Sequence, residues 1–359
     1  MRRFGALITV LLSLTLIGCS APNDVPITYS SKSPLAPFEE PGWPSYLTAL
    51  DLPAQRDYVI LAYVPPANAI DLTTPERARG TLAKMVFDQL GAMKAGTTIG
   101  HLIVGWQCGD TRGMTSMTGE QSGQGKKMLL NGWGVTPVFS TFLDGEIVPL
   151  NAFPPAQART LSTGRGVVIA TQVSRSRCLA AREEVREFAT HENEPHENYS
   201  LLLRPGHFEG GGCLSFAMEV AEDAGVMPRL AALTRRDIDL RKVQLGARDN
   251  APEQVTVYRA PNGKHPQEKR GLISLLTTRW NQGKVIDTVT IPDGEAIMAA
   301  MVYAHIGEIP KNDWTYRRIM SRDDPVIAQA ATYGLHWARS YPNRRIADPD
   351  GVRALVLEY

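Results

Sequence analysis

Three largely apolar runs of strand length set the frame for this chain: Tyr58 to Val64, His101 to Trp106 and Gly166 to Val173. The first is stopped by Pro65-Pro66, and the second follows a glycine-bounded break from Gly96 to Gly100. Short apolar runs bounded by breakers predict strands. Between the first two, Thr74-Pro75-Glu76 carries helix-start signals: a hydroxyl cap, a proline suited to the first turn and an acid at the positive helix end. Leu82, Met85, Val86, Leu90 and Met93 then recur at helical spacing and predict one buried face. Ser174 to Thr190 predicts a charged helix with Cys178, Ala181, Val185 and Phe188 on one stripe. Cys213 to Ala224 predicts another, with Phe216, Val220 and Ala224 aligned and Gly225 as its stop. Val135 to Phe142 and Glu146 to Leu150 flank Asp144-Gly145 and predict a hairpin. Thr111 to Gly125, loaded with Gly, Ser and Thr, predicts a loop. Strands at Val255 to Tyr258 and Val285 to Ile291 and helices near Glu295 to His305 and Pro325 to Arg339 complete the C-terminal portion.

The amino terminus has a different logic. Arg2 and Arg3 precede an apolar run from Ala6 to Ile17, broken only by Thr9, Ser13 and Thr15. That is too short for a permanent membrane span, which needs about 20 apolar residues. A basic start and a short apolar core make a secretory signal peptide. The residues closing it, Leu16-Ile17-Gly18-Cys19, resemble the lipobox of bacterial lipoproteins. The resemblance implies that residues 1–18 are removed and that a lipid on Cys19 ties the chain to a membrane. Ser20 stands where an aspartate would resemble an inner-membrane retention signal, so the periplasmic face of the outer membrane is the expected location. Residues 19–57, rich in Pro and Ser, read as a tether.

Without the signal about 340 residues remain, more than one average domain. A formal net charge of +1 with no block of Lys or Arg excludes the basic stripe of a nucleic-acid binder. Cys19 would be lipidated, leaving Cys108, Cys178 and Cys213. An odd number in an oxidising compartment implies a free thiol or a bond to another chain. A Cys108–Cys178 disulfide with Cys213 free is the favoured arrangement; the alternative is three buried, unpaired thiols.

Cys213 follows Gly210-Gly211-Gly212 and opens a helix, where unsatisfied N–H groups and the positive dipole end favour a thiolate. Such a thiolate is a nucleophile, and backbone N–H groups around it could hold an oxyanion. The other reading of the same position is a buried structural cysteine. A cysteine nucleophile needs a base, and His101, at the start of its strand, is the candidate. His191, His196 and His207 lie in irregular sequence, and His305 and His336 in expected helices. His191, Glu192, Glu194, His196 and Glu197 are close enough in sequence to hold a metal, but Pro195 argues for a solvated loop. No metal and no cofactor is therefore expected.

A Gly-His start to an apolar strand comes first. A charged helix, Tyr199, and Cys-x-x-Phe opening a helix that ends in Ala-Gly follow. This order resembles the circularly permuted papain-like cysteine hydrolases, the group that includes lecithin:retinol acyltransferase and many bacterial envelope proteins, over about residues 99–226. The resemblance implies an α+β fold: a permuted papain-like lobe over residues 58–230, its antiparallel sheet packed against the nucleophile helix, with a C-terminal α/β extension over 231–359. It implies Cys213 as nucleophile, His101 as base and Phe216 as a packing residue. Gly212 stands where many relatives carry Asn, and the third polar residue has no clear place; Gln107, Glu120 and Gln121 are the candidates. The expected function is an envelope-tethered thiol hydrolase or acyltransferase acting on an amide or ester, with peptidoglycan peptides first and lipid esters second. The alternative is a non-catalytic lipoprotein whose lobe binds a cell-wall fragment or a partner protein.

Overall fold

In the computed structural model, the described residues are 34–40, 42–119, 123–149, 152–248, 250–307, 311, 316–320, 322–347 and 352–358. Cys19, Glu120 and Gln121 lie outside them. The strands are β1 (Glu39–Glu40), β2 (Tyr58–Val64), β3 (His101–Cys108), β4 (Thr111–Thr118), β5 (Thr141–Phe142), β6 (Glu146–Pro149), β7 (Val167–Gln172), β8 (Arg235–Arg241), β9 (Val255–Thr256), β10 (Val285–Pro292), β11 (Asn343–Ala347) and β12 (Arg353–Leu357). Eight of them form one sheet in the order β1-β4-β3-β2-β7-β12-β11, with β6 paired to β4. All pairings in it are antiparallel except β12 on β7, which is parallel. The protein is α+β with a mixed sheet.

The apolar runs are continuous because the sheet is covered on both faces. Successive side chains of a strand point to opposite sides, and a strand buried on both sides has no polar position to alternate with. On β2, Val59, Leu61 and Tyr63 enter one core, while Tyr58, Ile60, Ala62 and Val64 enter the other. On β3, Leu102, Val104 and Trp106 share the first core and Ile103 the second. Helices Arg175–Thr190, Cys213–Asp223, Gly294–Ile306 and Pro325–Arg339 cover the first face. Leu47, Leu50, Phe153 and Leu161 help cover the other. A ribbon of β8 and β10 stands outside the main sheet over a smaller core that includes Leu240, Leu275 and Trp280. Among the described residues no helix is long and apolar enough to cross a membrane.

Several local expectations need correction. The hydroxyl- and glycine-rich segment after Asp110 is a strand, β4, not a loop. Its buried hydroxyls are satisfied within the sheet: Thr115 donates to the Val148 carbonyl at 2.9 Å and Ser116 to that of Leu102 at 2.7 Å. Gly113 leaves room for the Trp106 indole; a Cβ there would stand 2.2 Å from the ring. The hairpin about Asp144-Gly145 does not form. Residues Thr136–Phe139 turn tightly after Val135, β5 pairs with β9, and β6 pairs with β4. The Thr74-capped helix ends at Phe87, because Asp88 caps a second helix, Gln89–Ala95, by accepting from Gly91 N–H at 2.9 Å. The stripe from Leu82 to Met93 is thus split between two helices.

The expected boundary near residue 230 does not divide the core. β12 joins the main sheet beside β7, and helix Gly294–Ile306 packs on that sheet with the Cys213 helix. The C-terminal residues build part of the same sheet and core.

Candidate functional site

The Cys213 helix begins where the sequence predicts, with Gly212 at its cap in extended backbone. The glycine run before it does not leave the sulfur open. Gly211 is bonded to its neighbour segment on both sides, its N–H to Asn198 O at 3.0 Å and its carbonyl to Ser200 N–H at 2.8 Å. That strip brings Tyr199 over the helix start. Cys213 is 3 % exposed, and its sulfur lies 3.8 Å from the Gly100 carbonyl, to which the thiol donates.

Two influences on that thiol compete. The N–H groups of Leu102, Leu214 and Cys213 itself and the Tyr199 hydroxyl all favour thiolate, but burial outweighs them and pushes the thiol up. A helix N-terminus lowers a cysteine pKa most effectively when water or a cation also reaches the sulfur. Here the thiol is buried against the Gly100 carbonyl. Burial first, then the Glu295 charge against the opposing Arg318, with smaller effects of Asp293 and Cys213, holds the Tyr63 hydroxyl well above the usual phenol range. It has no hydrogen-bond partner among the described residues.

His101 does begin β3, paired opposite Val64, but its ring is on the wrong side. Leu102 shares a core with Cys213. One residue earlier, His101 has the parity of Ile103, and its ring meets Phe153 edge-on at 6.5 Å between centroids. Phe153 belongs to the core on the opposite face. The sheet therefore stands between the imidazole and the sulfur, and no hydrogen bond joins them. Burial drives His101 down to about 4, and among the described residues no carboxylate is hydrogen-bonded to it. The expected Cys213–His101 pair is not assembled.

Gln107 is placed no better as a third member. It lies six residues along β3, about 20 Å from His101 at the rise of a strand. Its amide is consumed locally: the NH2 donates to Pro53 O at 2.8 Å and Arg56 O at 3.0 Å, and the carbonyl accepts from Trp43 at 3.3 Å and Arg112 at 3.1 Å. Cys108 and Cys178 form a disulfide with Cα atoms 5.7 Å apart, leaving Cys213 as the free thiol among the described cysteines. It ties β3 to helix Arg175–Thr190, whose stripe of Cys178, Ala181, Val185 and Phe188 is fully buried as the spacing predicts. In the His191 to Glu197 segment, His191 stacks on Phe208 at 4.2 Å. Among the described residues no group of three or more His, Cys, Asp or Glu side chains is placed to hold a metal.

The polar residues that do converge near Cys213 were missed from sequence. Glu295, in the first turn of helix Gly294–Ile306, pairs with Arg318 at 2.6 Å and Arg322 at 2.8 Å. The same guanidiniums bind the carbonyls of Pro66 (2.7 Å), Asn68 (3.2 Å) and Ile70 (2.8 Å). Arg236 bridges Asp293 and Asp324, each at 2.6 Å, and these two acids cap helices Gly294–Ile306 and Pro325–Arg339. The caps were legible as Asp before helical sequence; the arginines that meet them come from distant segments with no local signal. The buried acids and arginines neutralise one another, which leaves them structural. Comparisons of the chain with protein-family models, with curated proteins and with solved structures return no match.

Proposed function

We propose that this chain is a lipid-anchored envelope protein whose permuted papain-like lobe binds a cell-wall fragment or partner protein and does not cleave it. The observation carrying this reading is the separation of the two expected catalytic groups: Cys213 is buried on one sheet face while the His101 ring packs on the other. A base must come within hydrogen-bond reach of the proton it takes, and moving His101 across would shift β3 by one residue and turn every side chain of the strand to the wrong core. The papain-like assignment draws support from a strand begun by His101 that precedes a cysteine-initiated helix packed on it. The hydrolase or acyltransferase reading, on peptidoglycan peptides or lipid esters, keeps one observation in its favour: four donors surround the sulfur.

Iodoacetamide near neutral pH separates the two. The expected result is that Cys213 resists alkylation in the folded protein and reacts readily once unfolded, with His101→Ala changing neither. Rapid modification of the folded protein that His101→Ala abolishes would overturn the binding reading and restore the enzyme. The anchor rests on the Leu16-Ile17-Gly18-Cys19 motif, and Cys19→Ser is expected to release the protein to the soluble periplasmic fraction or leave the precursor uncleaved. A variant processed normally and still membrane-bound sinks the lipoprotein assignment.

A further inference from the structure

Two connections come together on the smaller core: residues 119–140 between β4 and β5, and residues 242–284 between β8 and β10. They hold ten Lys or Arg against four Asp or Glu, a net of +6 in a chain whose formal total is +1. The rest of the chain is therefore net acidic, and the excess of cations is segregated on this part of the molecule. Because the cations are spread over two distant segments, they form no block in the sequence.

Backbone pairing gathers them. Arg270 N–H donates to Gly132 O at 2.6 Å, Gly246 N–H to Trp133 O at 3.0 Å, and Ala247 N–H to Glu268 O at 3.0 Å. Arg248 and Lys269 stand on these joined strips, and the Arg259 guanidinium lies over the Trp133 ring at 5.6 Å. Lys264 precedes His265, whose ring bonds to Gly246 O at 3.3 Å. Lys126 and Lys127 lie on helix Gln124–Leu130, which runs into the Gly132 strip. All six cations are exposed, and none is in an ion pair with a described residue. Glu253 and Glu268 are the acids of the two connections among the described residues. Two apolar side chains stand out from the same surface. Leu130, 54 % exposed, shares a helix face with Lys126 and Lys127. Ile273, three residues after Arg270, is 81 % exposed, while Leu275 of the same short helix is buried.

We propose that this face lies on the anionic headgroup surface of a lipid bilayer, its cations against lipid phosphates and Leu130 and Ile273 entering the interface. Unpaired Lys and Arg around isolated exposed apolar side chains suit a headgroup layer, which offers many anions and an apolar boundary just beneath. The choice of occupant rests on the lipid anchor proposed above. Fourteen residues separate Cys19 from Pro34, the first described residue, at most about 50 Å of extended chain, so an anchored lobe stays within reach of the bilayer. A single-stranded nucleic acid suits the face less well, because Trp133 is 2 % exposed and offers no ring to a stacked base.

The test is co-sedimentation of unlipidated protein, residues 20–359 exported through an ordinary cleavable signal, with vesicles. This chain keeps every described residue and lacks the anchor, so only the face can hold it. The expected result is binding to vesicles of phosphatidylglycerol and phosphatidylethanolamine, none to phosphatidylcholine alone, and release at about 1 M salt, where charges are screened within about 3 Å. Lys264→Gln with Lys269→Gln should weaken binding at least about tenfold, and Ile273→Ser should weaken it by a smaller factor. These side chains are exposed, so the variants should melt with the parent. The control is Lys94→Gln with Arg165→Gln, an equal loss of charge beside helix Pro155–Ser162, and it should bind as the parent does. No binding to the anionic vesicles, equal binding to phosphatidylcholine, or equal weakening by the control pair would overturn the proposal. Tighter binding of a single-stranded oligonucleotide than of the vesicles would overturn the assignment to a membrane. The anchor is judged separately: a blank here leaves the Cys19→Ser fractionation standing, and failure of that fractionation leaves vesicle binding standing.

Discussion

His101 and Leu102 are adjacent on β3 and look into different cores, and that single step of parity decides what Cys213 meets. From sequence alone both residues lie in one apolar run, and the run conceals which parity faces the helix because both faces of the sheet are buried. A half-exposed strand would have announced its inner face by alternation. The position of Cys213 at a helix start is legible; its burial is not, because Tyr63 reaches it from a strand 150 residues earlier and Tyr199 is turned over it by the pairing of an irregular segment. Another residue-scale effect is electrostatic. Glu184 on helix Arg175–Thr190 faces Asp223 on the Cys213 helix, with Glu219 and Glu187 nearby, and burial followed by the Asp223 charge raises its carboxyl from 4.5 to about 7. A folded-state pKa above the unfolded one means the folded protein binds the extra proton, so stability declines as pH rises from about 4.5 to 7 and stays reduced above. Glu184→Gln removes that penalty. Thermal unfolding of the variant should show a higher midpoint than the parent at pH 8 and a smaller difference at pH 4; a lower midpoint at pH 8 would show that the charge is not a liability.

Elements are legible where their signals are local. The Thr74 cap, the helix over Ser174 to Thr190 and the buried stripe from Cys178 to Phe188 all follow from spacing of a few residues. Elements were misread where a distant partner decides. Thr111–Thr118 has poor strand composition, yet it forms β4 because β3, β1 and β6 bond to it and supply partners for Thr115 and Ser116. Asp144-Gly145 is a good hairpin turn in isolation, but Gly145 N–H is taken by Glu197 O at 2.9 Å, and β4 draws β6 away. Arg236 shows the same dependence at the helix ends. One guanidinium from β8 bridges the capping carboxylates of two helices that pack against each other, so the ribbon and the helix pair are locked together through charges buried from water. Removing one partner of such a set leaves an uncompensated buried charge, the costly case for buried ion pairs.

At the scale of the whole molecule, the C-terminal residues close the fold instead of extending it. β12 lies parallel to β7, with Leu355 and Leu357 in the helix-side core and Ala354 and Val356 in the other, all fully buried. The expected boundary near 230 follows from the papain-like resemblance, which ends near residue 226, and a resemblance carries no information about which later strand completes the sheet. Burying Leu355, Val356 and Leu357 contributes about 5 to 9 kcal/mol at 1.5–3 kcal/mol for each side chain, an amount comparable to the net stability of a typical domain. Without β12 the edge of β7 also presents unpaired backbone groups and an apolar surface on both sides, which invites association with other chains. A chain ending at Pro342 should therefore lose its cooperative thermal transition or aggregate, although every residue from Tyr58 to Leu230 is retained. Circular dichroism melts of the truncated and full-length proteins, with sedimentation to detect aggregation, make the comparison. A truncated chain that stays monomeric and melts cooperatively near the parent temperature would show that the residues up to Pro342 hold the core without β11 and β12, and that β12 only lies against it.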